Sequence, residues 1–136
     1  MAERRERPGE ERARTWGPLG PFTADRRTYP PTAEGAVRYL PVRTGADGDV
    51  LGYLWAAETD DAASFVTAGH AGAVGAAAKG HWIRWLAERR SEGLSPLRAL
   101  ERAATEPVDT AGGAPAPGSA PSTAPDLATL ELIARS

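Results

Sequence analysis

Ala36-Val37-Arg38-Tyr39-Leu40-Pro41-Val42-Arg43 and Val50-Leu51-Gly52-Tyr53-Leu54-Trp55-Ala56-Ala57 are the two runs on which the fold turns. Both are rich in β-branched and aromatic residues, which fit a pleated, half-buried surface. Between them lies Thr44-Gly45-Ala46-Asp47-Gly48-Asp49, whose Asp-Gly step supplies the positive-φ residue of a tight reversal. The reading is an antiparallel β-hairpin. Pro41 has no amide hydrogen to give a ladder, so the first strand is expected to be an edge there. A hairpin alone is marginal in water and needs something apolar laid over it.

That cover is expected downstream, over Ala71–Glu92, where Val74, Ala78, Trp82, Trp85 and Leu86 recur at three- and four-residue steps. Gly72, Gly75 and Gly80 each cost a helix interior about 1 kcal/mol, so the best-supported part begins near Gly80. Gly93 fits the left-handed residue after a helix, and Leu94 can fold back on its last turn. Ser95-Pro96 reads as an N-cap followed by proline at the first helical position, opening a second helix to about Thr105 with Leu97, Leu100 and Ala104 inward. A third short strand is possible near Ser64–Thr67.

Outside this core the composition changes. Residues 1–15 carry five Arg and four Glu with only Met1 as a large apolar group. Their i,i+4 pairs, at about 0.2–0.5 kcal/mol each, are too weak to nucleate an isolated helix. Residues 1–35 are therefore expected to be a mostly irregular or disordered arm, although Trp16, Leu19, Phe22 and Tyr29 suit a segment lying extended over the core. Residues 107–125 are Ala/Pro/Gly/Ser/Thr-rich and are expected to be a flexible linker. Asp126 can cap a short helix, Leu127–Arg135, whose Leu127, Leu130 and Ile133 form a stripe that requires a docking surface. The expected architecture is α+β: an antiparallel hairpin, two-stranded or three-stranded with the segment near Ser64–Thr67, on a helical hairpin within residues 36–106, then the linker and the helix within 126–136.

Small pieces of this core carry a resemblance. Gly52-Tyr53-Leu54-Trp55-Ala56, Asp60-Asp61-Ala62-Ala63, Trp82-Ile83-Arg84-Trp85-Leu86 and Gly93-Leu94-Ser95-Pro96-Leu97-Arg98-Ala99-Leu100 resemble stretches of small uncharacterised proteins of streptomycetes and related actinobacteria, over roughly residues 37–105. The resemblance implies no activity, so no residue takes a role from it.

The 136 residues hold 16 Lys+Arg against 18 Asp+Glu, a formal charge of −2, with 15 Gly, 12 Pro and no Cys. Leu, Ile, Val and Phe number only 21, fewer than the roughly 20 % expected of a chain folded throughout. Without cysteine there is no disulfide, thiolate metal site or cysteine nucleophile. No apolar run follows the charged N-terminus and none approaches the roughly 18 residues of a membrane span, so a cytoplasmic location and no membrane contact are expected. Near-neutral charge argues against nucleic acid. The helix pair around Gly93 imitates a helix-turn-helix, but Arg98 and Arg102 are balanced by Glu101 and Glu106.

Candidate chemistry is sparse. His70 and His81 are the only histidines; on one helix, eleven residues would separate them by about 16 Å, too far to share a metal or a proton. Asp47 and Asp49 suit the turn, while Thr59, Asp60 and Asp61 suit the start of a helical turn. Ser64, Thr67 and Ser95 lie in no nucleophile-elbow pattern. Gly69–Gly75 lacks the spacing of a phosphate loop. No cofactor and no metal are expected.

The remaining signal is aromatic. Tyr53 and Trp55 fall on one face of their strand, Val50 and Leu54 on the other, and a hairpin with two apolar faces but one cover leaves a patch exposed. The expected function is a non-enzymatic protein-interaction module, binding a protein partner or forming a homodimer through Tyr39, Tyr53 and Trp55, with Leu127, Leu130 and Ile133 as a second docking element. The competing expectation is a small hydrolase or metal-dependent enzyme built on Asp60, Asp61 and His70.

Overall fold

The computed structural model describes residues 28–44, 48–105 and 112–135. The expectations for residues 1–27, for 45–47 with Asp47 of the hairpin turn, and for 106–111 lie outside the described residues. Seven elements follow one another: β1 (Val37–Arg43), β2 (Val50–Ala57), β3 (Ala62–Thr67), α1 (Gly72–Ser91), α2 (Pro96–Thr105), β4 (Ser122–Ala124) and α3 (Leu127–Arg135). The sheet is antiparallel in the order β3-β2-β1-β4, with helices packed on it. The α+β architecture read from the sequence is the one observed.

β1 and β2 pair antiparallel, as expected of the hairpin, and the register sets Tyr39 opposite Trp55 and Leu40 opposite Leu54. At its turn end Val42 faces Gly52 but Arg43 faces Val50, leaving Leu51 as an extra residue in β2. Such a bulge breaks strand alternation. It explains why Leu51 joins Leu54 and Ala56 in the helix-side core although it is an odd number of residues from both.

On that side Leu40, Val42, Leu54 and Phe65 meet Trp82, Trp85 and Leu86 of α1 and Ala99, Leu100 and Ala103 of α2. The inward stripe of α1 is Gly75, Ala78, Trp82, Trp85 and Leu86, and Val74 points to solvent at 59 % exposure. The phase differs from the expected one because the first turn is pressed onto the sheet. A Cβ at Gly75 would lie 2.6 Å from Thr67 Cγ2 and 3.3 Å from Leu51 O, so only glycine fits there, and the helix runs Gly72–Ser91, nearly the whole expected segment Ala71–Glu92 with its first-turn glycines included.

Between the helices, Gly93 has φ +86° and the Leu94 N–H donates to Arg89 O at 3.2 Å, closing α1 as expected. Ser95 Oγ accepts from the Arg98 N–H at 3.3 Å, capping α2. Residues 58–61 form a β-turn between β2 and β3, not the start of a helical turn. Asp61 N–H donates to Glu58 O, and Asp61 takes φ +51°, which aspartate tolerates.

The largest departure concerns the Pro/Ala-rich connection. From Gly112 onward it packs on the protein and supplies the fourth strand. Arg43 and Ala114 exchange backbone hydrogen bonds of 3.0 and 2.9 Å, and Ser122, Thr123 and Ala124 pair with Tyr39, Arg38 and Val37. β1 is therefore internal. Pro41 is accommodated because the outer ladder stops at Tyr39 and resumes only at Arg43, so no partner ever asks for its missing N–H.

Candidate interaction surface

The sheet face turned away from α1 and α2 carries side chains in rows set by the strand register. One row runs Ala62, Ala57, Val37, Ala124 and the next Ser64, Trp55, Tyr39, Ser122. The third runs Val66, Tyr53, Pro41. The helix α3 contacts both β4 and β3, the two edges of the sheet. Its Leu130, fully buried, packs with Val37, Trp55, Ala57 and Ala62.

Local chemistry starts α3 in the expected place. Asp126 Oδ1 accepts from the Thr129 N–H at 2.8 Å. The Thr129 side chain and then its backbone N–H hold the Asp126 carboxyl below the usual carboxylate range. At the far end Gly69 N–H donates to Ala134 O at 2.8 Å, satisfying one of the carbonyls a helix C-terminus leaves open. α3 thus docks within its own chain.

The six expected interface residues consequently separate into two groups. Trp55, at 1 % exposure, and Leu130, at 0 %, are enclosed in the second core; Leu127 and Ile133 are half-buried on α3. Tyr39 and Tyr53 remain partly exposed, their rings 5.7 Å apart and edge-to-face at 80°. Pro41 and Val66, which the sequence reading did not single out, are partly exposed in the same row as Tyr53. Strand alternation extended across the sheet was the signal that would have found them. Leu132, on the outer side of α3, is 60 % exposed.

The acidic residues and the histidine of the enzyme reading do not converge. Asp60 Oδ2 accepts from the Gly35 N–H at 3.2 Å, and Asp61 Oδ1 pairs with Arg90 Nη1 at 2.9 Å. Both groups tie down the β2–β3 turn, and the Asp61 hydrogen bond raises the Arg90 guanidinium above its ordinary value. His70 is exposed beyond the other end of β3, about 20 Å away at 3.3 Å per residue of intervening strand. His81 sits in α1, edge-to-face on Trp82 and against Gly112. Among the described residues no group of three His, Asp or Glu is placed to hold a metal ion, and no helix is long and apolar enough to cross a membrane.

Compared with protein-family models, with curated proteins and with solved structures, the chain matches none.

Proposed function

We propose that this protein is a non-enzymatic interaction module whose sheet face docks a second copy of the chain through Tyr39 and Tyr53. The supporting observation is that α3 spends its apolar stripe on Trp55 and the first row of the face, while the Tyr39–Tyr53 pair beside it stays partly exposed. Tyrosine suits such a place, offering a large rigid ring with a polar tip that tolerates water when the surface is free. A two-fold axis brings the same patch of both copies together, so a self-complementary face of edge-to-face rings needs no second specificity.

Sedimentation of the full chain over a range of concentrations tests this. A concentration-dependent dimer is expected, weakened about tenfold or more by Tyr53→Ser with unchanged secondary structure. A monomer at every concentration, or a dimer indifferent to Tyr39→Ser and Tyr53→Ser, overturns the reading.

A further inference from the structure

Ser64 is the one buried polar side chain among the described residues, 5 % exposed, and its hydroxyl has no hydrogen-bond partner there. An unpaired buried hydroxyl weakens a fold, so such a group calls for a use. Its oxygen is not sealed from solvent; the unpartnered side-chain atoms that are sealed are His81 Nε2 and Arg89 Nε. Strand alternation puts the Ser64 side chain on the α3 side of the sheet, in the row of Trp55. There it borders a hollow of about 380 Å³, with Lys79 of α1 on one wall and Leu127 and Glu131 of α3 on the other. A second hollow of about 170 Å³ adjoins it through Pro31, Ser64 and Ile83, and is lined mainly by apolar groups of Tyr29, Ala63 and Leu86.

We propose that the joined hollows bind a free apolar α-amino acid, its head group at Ser64 between Lys79 and Glu131 and its side chain in the smaller hollow. The charges come first. Neither Lys79 nor Glu131 is held by an ion pair among the described residues. Both side chains are long and exposed, so from opposite walls they can close on an ammonium and a carboxylate one carbon apart. A charge-assisted contact to each is stronger than a neutral one, and the Ser64 hydroxyl can donate to the same carboxylate.

Size and polarity agree with this division. The larger hollow falls within the range of small-molecule sites, which begins near roughly 300 Å³, and the smaller one is of side-chain size. The tyrosine hydroxyl nearest the smaller hollow is already spent, donating from Tyr29 to Leu94 O at 2.7 Å, so an apolar group suits that end. The same walls exclude other classes. Glu131 repels a purely anionic ligand such as a phosphate, Lys79 repels a purely cationic one, and the apolar hollow has little to offer the hydroxyls of a sugar. The site is separate from the Tyr39–Tyr53 pair and does not rest on the dimer.

Titration of the full chain with L-leucine, followed in amide spectra, tests this. Saturable shifts are expected at Ser64, Thr67, Lys79 and Glu131, with Asp49 and Thr105 unmoved. N-acetyl-leucine lacks the cation, leucinamide the carboxylate and glycine the tail, and each is expected to bind about tenfold or more weakly than leucine. Lys79→Gln and Glu131→Gln, both at exposed positions, are expected to weaken leucine by a similar factor. Ser64→Ala is expected to weaken it as much while leaving the denaturation midpoint undiminished, because the hydroxyl serves no partner within the fold. Absence of saturable shifts with leucine and phenylalanine up to about 20 mM, beyond the millimolar affinity of a weak small ligand, overturns the proposal. So does equal binding of leucine, N-acetyl-leucine and leucinamide, which marks unselective apolar contact. Retained affinity or a lowered midpoint in Ser64→Ala overturns it as well.

Discussion

The indole N–H of Trp82 donates to the carbonyl oxygen of Gly112 at 2.9 Å in the interior, thirty residues away along the chain. This one bond joins the middle of α1 to the start of the segment that becomes β4 and α3. It also explains why that segment is seated despite its poor hydrophobicity. A buried carbonyl needs a donor, and a fully buried indole needs an acceptor.

Replacing Trp82 by Phe keeps most of the ring and removes the donor. The loss of stability is expected to be about 2–3 kcal/mol, from the orphaned carbonyl together with the vacated volume. Chemical denaturation measures it, and backbone hydrogen exchange is expected to rise in β4 more than in β2.

Gly52 and Gly80 are expected to answer alanine oppositely. A Cβ on Gly52 would stand 2.4 Å from the Phe65 ring and from Val66 O, so Gly52→Ala is expected to cost about 3 kcal/mol, the upper end for overpacking. A Cβ on Gly80 meets only an arginine tip at 4.0 Å, and Gly80→Ala is expected to stabilise the helix by about 0.5–1 kcal/mol. Denaturation midpoints of the two variants decide both.

Leu130→Ala removes the only fully buried leucine of α3 from beside Trp55. The expected cost is about 2–5 kcal/mol. Tryptophan emission is expected to move to the red in this variant while circular dichroism retains the signals of α1 and α2.

Alkaline pH should weaken the fold through Tyr29. Its hydroxyl donates to Leu94 O at 2.7 Å, and burial pushes the phenol above its ordinary value against the opposing pull of Arg90. The unfolded chain then ionises first, so this stabilisation is complete below about pH 10 and is lost as pH rises through the raised native value. Denaturation midpoints from pH 8 to 11 are expected to fall, and Tyr29→Phe to flatten that fall while costing about 1 kcal/mol at neutral pH.

At the acid end the relevant group is Asp126, whose carboxyl the Thr129 side chain and N–H hold below its ordinary value. A depressed native value means that the contribution is present above about pH 4 and lost as pH falls through it. Asp126→Asn retains an N-cap of similar quality, so the acid loss of α3 is expected to disappear while neutral stability is kept. The amide signals of Thr129 and Leu130, followed by pH titration, report it.

Much of this architecture is legible residue by residue. The alternation in Val37–Arg43 and Val50–Ala57, Gly93 and Leu94 after α1, Ser95-Pro96 before α2 and Asp126 before α3 each encode a local geometry through the chemistry of a few neighbours. Ser122-Thr123-Ala124 encodes no strand, because three small polar or weakly apolar residues acquire β structure only from the unpaired edge of β1. Nor does Val74 reveal that it points outward. That follows from the close approach of Gly75 to Thr67 and Leu51, which no helical periodicity contains.

The candidate surface divides in the same way. Local composition shows that this small core is rich in large rings and that Leu127–Arg135 is an apolar-striped helix in need of a dock. Which rings stay at the surface was settled only by packing. When α3 lay down over Trp55 and left Tyr39 and Tyr53 beside it, burial became a property of segments more than seventy residues apart. Side-chain periodicity acts over a few residues, whereas the free energy of covering a sheet face depends on whichever distant element reaches it.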